Sequence, residues 1–343
     1  MRIGFMMDAL AAIGTPGNGV RAQARHQADA LTRLGHSIER LNPWLDNDTK
    51  GLDLVQFFVG GNPFIWIETL KYRLNFLVFA PMIDSNEPHW RYRIAARLGR
   101  LTKNRFITAQ GLVQQQAETA DLVIVRSTHE RERLTQSLGI DDAKIEMVLN
   151  GANPPTPATG DLAREKLGLP ERYVAHVSNY GHGRKNVPML IEACGELGYP
   201  LIVAGSREPG PPLQAAEAAA KKYPGLVKLH GFLDADVLQS LYAGARVFAL
   251  PSVNEGTGLV AVEAAAQGAA VVITKNGGPP DYFLNMAEYV DPFDKQSVKS
   301  ALQRAWEKGP DPRLKQHVLT NLTWDNSARQ LDAAYKKHMR TLK

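Results

Sequence analysis

The sequence predicts an α/β protein made of two parallel-sheet domains, and three observations carry that expectation. Short apolar runs of strand length alternate with segments of helix length, the pattern of a parallel sheet covered by helices. The alternation starts afresh in mid-chain, where Tyr173–Val177 mirrors the opening run Arg2–Met6. Between the halves, Pro154, Pro155, Pro157 and Gly160 make a stiff linker, and 343 residues suffice for two domains. The expected division is residues 1–157, residues 158–324 and a closing helix over 325–343.

In the first half, Arg2–Met6 is a strand, followed by a loop carrying Gly14, Gly17 and Gly19. A helix over Val20–Leu34 ends at Gly35, and His36 opens the next strand. Strand, glycine loop and helix form the opening of a Rossmann-like half. A dinucleotide fingerprint needs a third glycine where Ala22 stands, which speaks against an NAD-dependent oxidoreductase. Leu52–Val59, Asn75–Ala80, Asp121–Val125 and Ile145–Leu149 read as further strands, and Ser127 caps a helix that Gly139 ends after Leu138. In the second half, Tyr173–Val177, Leu201–Ala204, Leu226–Leu229 and Arg246–Leu250 are strands. Helices over 211–223 and 234–243 alternate with them, and Asn186 is the expected N-cap of another, with Pro188 in its first turn.

Composition narrows the function classes. With 44% apolar and 22% charged residues the chain is ordinary globular protein. Its one cysteine, Cys194, excludes an internal disulfide framework and fits a reducing cytoplasm. No signal-peptide pattern opens the chain, and Leu52–Ile67 is broken by Gly60, Gly61, Asn62 and Pro63 and is too short to span a bilayer. A net charge of +5 is modest and gives no nucleic-acid signature.

The chemistry concentrates in 247–278, VFALPSVNEGTGLVAVEAAAQGAAVVITKNGG. A buried strand ends at Leu250, and a loop runs from Ser252 to Gly256. A helix then starts near Thr257 or Gly258 and stops at Gly268, and a second strand covers Ala269–Ile273. Glu263 is a carboxylate in a helix otherwise of Leu, Val and Ala, so it needs a polar partner. Glu255 stands just ahead of the helix, where the N–H groups of Gly256, Thr257, Gly258 and Leu259 are available to an anion. An anion seat flanked by two carboxylates suits a ligand with phosphate at its centre and hydroxyls at both ends, as in a nucleotide sugar.

Glu255 to Glu263 matches the E-x7-E motif of retaining glycosyltransferases, and EGTGLVAVEA resembles the EGFGLxxLEA form of glycosyltransferase family 4. Other segments fall in the same register. Gly19, Val20, Leu31, Gly35 and His36 match the family opening, with Gln23 where the family has His. SNYGHGRKN resembles the GRxxxxRKG loop, Lys185 taking the place of its Lys, Arg184 the residue before it, and Asn179 the place of its first Arg. GGPPDY carries Asp281 where the family has Glu, and Thr323-Trp324 precedes the last helix as in the family's F-x-W ending.

The resemblance implies a GT-B fold, with two Rossmann-like domains facing a cleft and the last helix crossing back to the first domain. Acceptor binding would fall to the first domain and donor binding to the second. Glu255 would hold donor-sugar hydroxyls and Glu263 the ribose hydroxyls. Lys185, Arg184 and the helix N-terminus would hold the diphosphate, with Asn179, Gly17 and Gly19 beside it. The base would lie against the backbone at Phe232 and Leu233. Leaving-group charge would be met by these cations, so no metal and no other cofactor is expected. The two D-x-D triplets, Asp46/Asp48 and Asp234/Asp236, read as surface loop and helix cap. Asp84 in FAPMIDSNEPH is the catalytic candidate of the first half, followed by Glu87 and His89.

From Pro88 to Ala117 no acidic residue occurs, while Arg91, Arg93, Arg97, Arg100, Lys103 and Arg105 do. Trp90, Ile94, Leu98 and Leu101 recur at helical spacing beside Arg93, Arg97 and Arg100. Two readings stand: a basic amphipathic helix for an anionic membrane or a lipid diphosphate, or a surface helix whose apolar stripe enters the core. The resulting expectation is a cytoplasmic or peripheral enzyme acting on a glycan or lipid-linked acceptor, as in bacterial polysaccharide synthesis. A non-catalytic sugar-nucleotide-binding subunit and a phosphorylase or epimerase of the same architecture are the alternatives.

Overall fold

The computed structural model describes residues 1–7, 19–41, 49–59, 71–72, 74–101 and 108–340, the side chains of 99–101 excepted. It divides into two compact units, Met1–Asn150 with Trp324–Lys343, and Gly151–Thr323. The division precedes the prolines placed at 154–157 by the sequence. The reason is local: the Ala152 N–H donates to the Leu322 carbonyl at 2.8 Å and Ala152 bridges Thr323, so this segment is already tied into the second unit.

The first unit holds a six-stranded sheet in the order β2-β1-β3-β4-β5-β6. Its strands are β1 (Arg2–Met7), β2 (Ser37–Arg40), β3 (Leu54–Phe58), β4 (Leu77–Ala80), β5 (Leu122–Val125) and β6 (Ile145–Met147). Every pairing is parallel. β3, β4 and β5 are buried along their whole length, as expected of strands covered on both faces. The final helix, Trp324–Arg340, belongs to this unit and packs on Gly19–Arg33. Trp324 stacks on His26 with centroids 5.1 Å apart, Gln27 donates to Ser327 at 3.3 Å, and Tyr335 donates to the buried Gln56. A helix Ala109–Thr119, which the sequence reading lacks, starts where Thr108 accepts from the Gly111 N–H at 3.0 Å. The helix expected up to Leu138 is α-helical only over Thr128–Glu132 and passes into a π-helical turn, Arg133–Ser137.

The second unit holds another six-stranded parallel sheet, ordered β12-β11-β10-β7-β8-β9. Its strands are β7 (Val174–Val177), β8 (Leu201–Ala204), β9 (Val227–Leu229), β10 (Val247–Leu250), β11 (Ala270–Thr274) and β12 (Glu288–Val290). β12 and a short helix, Asp161–Leu167, are absent from the sequence reading. From β7 the chain winds outward through β8 and β9, then returns to lay β10 on the other side of β7. Loops leaving the carboxyl ends of β7 and β10 therefore diverge, which opens a crevice there. Val174, Leu190, Ile191, Val203, Val247, Val272 and Leu302 are among the buried side chains that close the core beneath it. Among the described residues no helix is long and apolar enough to cross a membrane.

Candidate active site at the switch point of the second sheet

The loop after β7 ends in a 3₁₀ turn, Gly183–Lys185, which delivers two cations to the crevice. Asn186 follows with φ +55° and occupies the N-cap position of the helix Val187–Leu197, but its side chain caps nothing. Its amide instead donates to the carbonyls of Pro251, at 3.2 Å, and Pro292, at 2.8 Å. Asn186 thus stands at the expected N-cap position, with Pro188 in the first turn, but its side chain ties the β7 loop to its neighbours instead of capping the helix.

The loop after β10 is clamped on both sides. Val253 N–H donates to the Arg184 carbonyl at 2.8 Å, and Arg184 Nη1 donates to the Asn254 carbonyl at 2.7 Å. On the other side, Glu255 N–H donates to Asn276 at 3.2 Å and Gly278 N–H to Glu255 at 2.9 Å. Gly277 makes this approach possible. Its φ is +97°, and a Cβ there would lie 2.1 Å from the Glu255 carbonyl oxygen. Gly277→Ala is accordingly expected to destabilise the second unit by about 2 kcal/mol, from strain plus displacement of the loop. Thermal unfolding checks this, and an unchanged Tm would remove the clamp from the argument.

Glu255, only 6% exposed, meets Lys185 Nζ at 2.6 Å through Oε1, while Arg184 Nη1 stands 3.9 Å from Oε2. Lys185 has three N–H donors, so this contact leaves two for a ligand. Gly256, Thr257 and Gly258 follow, all buried, and the helix Leu259–Gln267 begins with Gly258 in the left-handed region at φ +76°. No side chain caps that N-terminus. Helix geometry leaves its first N–H groups without intrahelical acceptors, apart from Ala261, whose N–H donates to the Gly258 carbonyl at 2.8 Å.

Glu263 lies one turn into that helix, about 6 Å beyond Leu259 along the axis. It is half-buried and accepts from the Tyr242 hydroxyl at 3.4 Å. Burial pushes its carboxyl up to about 7, despite the Tyr242 hydrogen bond. Behind the pair, Thr257 contacts the buried Tyr282 hydroxyl at 3.3 Å.

One residue of the site was not found from the sequence. His176, fully buried in β7, contacts the Ala249 carbonyl through Nδ1 at 2.7 Å and Ser178 Oγ through Nε2 at 2.7 Å. A carbonyl only accepts, so Nδ1 carries the proton and Nε2 accepts from Ser178. Burial drives the ring's pKa down to about 4, so it is neutral and joins β7 to β10 at the root of both loops. Its signal is a polar residue inside an otherwise apolar strand. Two buried oxygens nearby, Asn179 Oδ1 and Ser252 Oγ, have no hydrogen-bond partner among the described residues. Buried polar atoms without partners are uncommon except where a ligand or water supplies them.

The remaining expected donor-side residues lie at the ends of β8 and β9. Gly205 N–H donates to Gly231 at 3.0 Å and the Tyr180 hydroxyl to His230 at 3.0 Å, lacing the loops together. Phe232 follows, 61% exposed, with Leu233 half-buried. Asp234 precedes a helix without capping it through its side chain, and Asp236 Oδ1 accepts from the adjacent Val237 N–H at 2.8 Å. Gly17, Asp46 and Asp48 lie outside the described residues. Gly19 is the first residue of its helix, and a Cβ there would meet nothing within 4 Å.

In the first unit, Asp84 follows β4 and contacts Arg126 Nη2 at 3.3 Å. Arg126 follows β5 and also pairs with the buried Glu130, whose Oε2 accepts the Arg126 N–H at 2.7 Å. Asp84 thus sits at the carboxyl edge of this sheet, oriented by a buried guanidinium. Glu87 is exposed and contributes its carbonyl to Arg133. His89 contacts Ser137 Oγ at 2.7 Å, and burial lowers its pKa. Gln23 is buried and accepts from Asn150 at 3.2 Å.

Comparison with known proteins agrees with this geometry. Residues 171–308 match the model of the glycosyl transferases group 1 family. The chain is 28% identical to the D-inositol 3-phosphate glycosyltransferase of Corynebacterium diphtheriae over 252 residues, 65% of this chain and 57% of that protein. It is 34% identical to the enzyme of the same name from Mycobacterium bovis over 184 residues, 49% of this chain and 36% of that one. The chain thus spans about half or less of these relatives' length. Among solved structures, sucrose-phosphate synthase of Thermosynechococcus elongatus superposes with TM-score 0.77 at 18% identity, covering 99% of this chain and 100% of that one. HepE of Anabaena, solved with UDP and glucose, superposes with TM-score 0.65 at 18% identity, covering 100% and 99%. The second unit carries the signature of group 1 glycosyltransferases, and the fold is that of GT-B glycosyltransferases.

Proposed function

We propose that the chain is a retaining glycosyltransferase of family 4 that moves a hexose or similar sugar from a nucleoside diphosphate to a glycan or lipid-linked acceptor without a divalent metal. The observation that carries this reading is the Lys185–Glu255 pair, set at the switch point beside an uncapped helix N-terminus. Bond breaking between the anomeric carbon and the β-phosphate oxygen leaves negative charge on the diphosphate. Lys185, Arg184 and the first-turn N–H groups meet that charge as it develops, the term that usually dominates such catalysis. Two cations and a helix dipole supply what a metal supplies in D-x-D enzymes. Glu255 accepts from donor-sugar hydroxyls and Glu263 from the ribose, and the partnerless Asn179 and Ser252 oxygens gain donors from the ligand. The acceptor hydroxyl attacks from the face the nucleotide leaves, and the departing phosphate takes its proton, so no dedicated nucleophile is needed. Acceptor recognition falls to the first unit, with Asp84 at its sheet edge. Bacterial polysaccharide or glycolipid synthesis is the setting that fits such a reaction.

Thermal unfolding with UDP, GDP, ADP, TDP and CMP, in EDTA and then in magnesium, tests the reading. One diphosphate in EDTA, at a hundred times its Kd, is expected to stabilise by about 2.7 kcal/mol, a shift of several degrees. That shift disappears in Glu263→Ala. No shift with any nucleotide would overturn the proposal, and a shift only with magnesium would remove its metal-free part.

A further inference from the structure

The helix His89–Leu101 lies on the first unit with an unusual choice of faces. Its buried side is formed by Tyr92 and Ala96, and Thr108 donates to the Ala95 carbonyl at 2.7 Å from below. Arg133 stacks on Tyr92 at 5.7 Å, and Arg93 donates to the Gln136 carbonyl at 2.7 Å, which fixes the helix's rotation. The stripe of larger apolar residues points the other way. Trp90 is 60% exposed, Ile94 50% and Leu98 48%. They stand at i, i+4 and i+8, one above another over two turns or about 12 Å. Arg91 and Arg97 are exposed beside them, Arg91 lying 5.8 Å from the Trp90 ring. The sequence left open whether this stripe enters the core; for these three residues the structure excludes that.

We propose that this face docks on the surface of an anionic lipid bilayer, with Trp90, Ile94 and Leu98 entering the headgroup layer and Arg91, Arg93 and Arg97 meeting lipid phosphates. Contiguous exposed apolar residues rimmed by charge mark an interaction site. The charge selects the occupant. No acidic residue occurs from Pro88 to Ala117, and Arg91, Arg93 and Arg97 are all exposed on this helix; the side chain of Arg100, and Lys103 and Arg105, lie outside the described residues. A second copy would set arginines against arginines, whereas a bilayer offers a layer of anions above an apolar layer, matching this face in both respects. Tryptophan, with an apolar body and one N–H donor, suits that boundary. The proposal does not depend on the donor chemistry of the second unit.

Flotation of the full chain with vesicles of phosphatidylcholine containing 30% phosphatidylglycerol, against pure phosphatidylcholine, tests it. At 0.1 M salt the protein is expected to float only with the anionic vesicles, and at 0.5 M salt to stay behind, because screening shortens to a few ångströms. Arg91→Gln with Arg97→Gln, both exposed positions, should each lower partitioning about fivefold. Trp90→Ser, Ile94→Ser and Leu98→Ser together should lower it more than tenfold. Far-UV circular dichroism and the nucleotide-induced Tm shift should stay as in the parent chain, which separates loss of docking from loss of fold or of donor binding. Failure to float with anionic vesicles overturns the proposal, as does equal flotation with neutral ones. Sedimentation velocity showing a dimer that the triple variant dissolves also overturns it, assigning the face to a second copy.

Discussion

Lys185→Met is expected to lower sugar transfer by roughly a hundredfold to a thousandfold, the size of effect seen when one preorganised donor to a developing anion is removed. The substitution keeps most of the side chain's unbranched, apolar stem and takes away the ammonium that donates to Glu255 Oε1 at 2.6 Å. It should cost stability too. Glu255 is 6% exposed, and breaking a buried pair by deleting one partner leaves an uncompensated charge, worth about 3 kcal/mol. Activity and stability are then separable by a double-mutant cycle. Glu255→Gln alone strands the lysine, whereas Lys185→Met with Glu255→Gln leaves no stranded charge and should recover most of the lost Tm. The double variant is nevertheless expected to be inactive, since the cation is absent. Arg184→Gln should cost only about tenfold, because Arg184 stands 3.9 Å from Glu255 and its Nη1 is already engaged by the Asn254 carbonyl. Transfer within tenfold of the parent in Lys185→Met, measured with the nucleotide that shifts Tm, would remove Lys185 from the mechanism.

The reach of sequence reasoning can be judged from the same residues. Glu255, Glu263, Lys185 and the turn between them were legible because each violates a local rule. One carboxylate precedes an apolar helix and another sits inside it, and a cationic pair closes a glycine-bearing loop. Such violations collect at functional sites. His176 breaks a rule as well, but a single polar residue in a four-residue strand is a weak signal beside a motif. The helix His89–Leu101 was legible only in part. Periodicity marked the stripe Trp90/Ile94/Leu98 beside its arginines and left open whether that stripe faces the core. Rotation was decided instead by contacts distant in sequence, Arg133 on Tyr92 and Arg93 on Gln136. β12 escaped because it is three residues long and half-buried for two of them, so it lacks the apolar run that marks an interior strand. The 3-2-1-4-5-6 winding of the second sheet is a property of pairing, which no single segment encodes.

Glu263→Gln should stabilise the empty protein above neutral pH while weakening its hold on a nucleotide, and the two effects come from one cause. The folded carboxyl titrates near 7, above the 4.5 of a free glutamate, because burial disfavours its charged form. Unfolded chains therefore lose this proton first as pH rises. Between pH 4.5 and 7 the folded state holds a proton that the unfolded state has released, so stability falls across that window, by roughly 3 kcal/mol in all. Glutamine has no such titration. The variant should match the parent near pH 4.5 and exceed it at pH 8, with a Tm difference that grows through the interval. Nucleotide binding runs the opposite way. On the proposed reading, ribose hydroxyls donate to the carboxylate and favour its ionised form, so binding draws the proton off. Parent affinity should then rise by up to about tenfold from pH 6 to pH 8 relative to the variant, whose own slope reports only the titrating phosphate. Parallel slopes in the two proteins would remove Glu263 from the ribose site. A carboxylate kept for the fold alone would show the reverse pattern, with glutamine costing stability at pH 8. On the proposed reading, ribose hydroxyls add to the Tyr242 hydroxyl and offset the cost of ionising Glu263, and the two pH profiles together distinguish that binding role from a structural one.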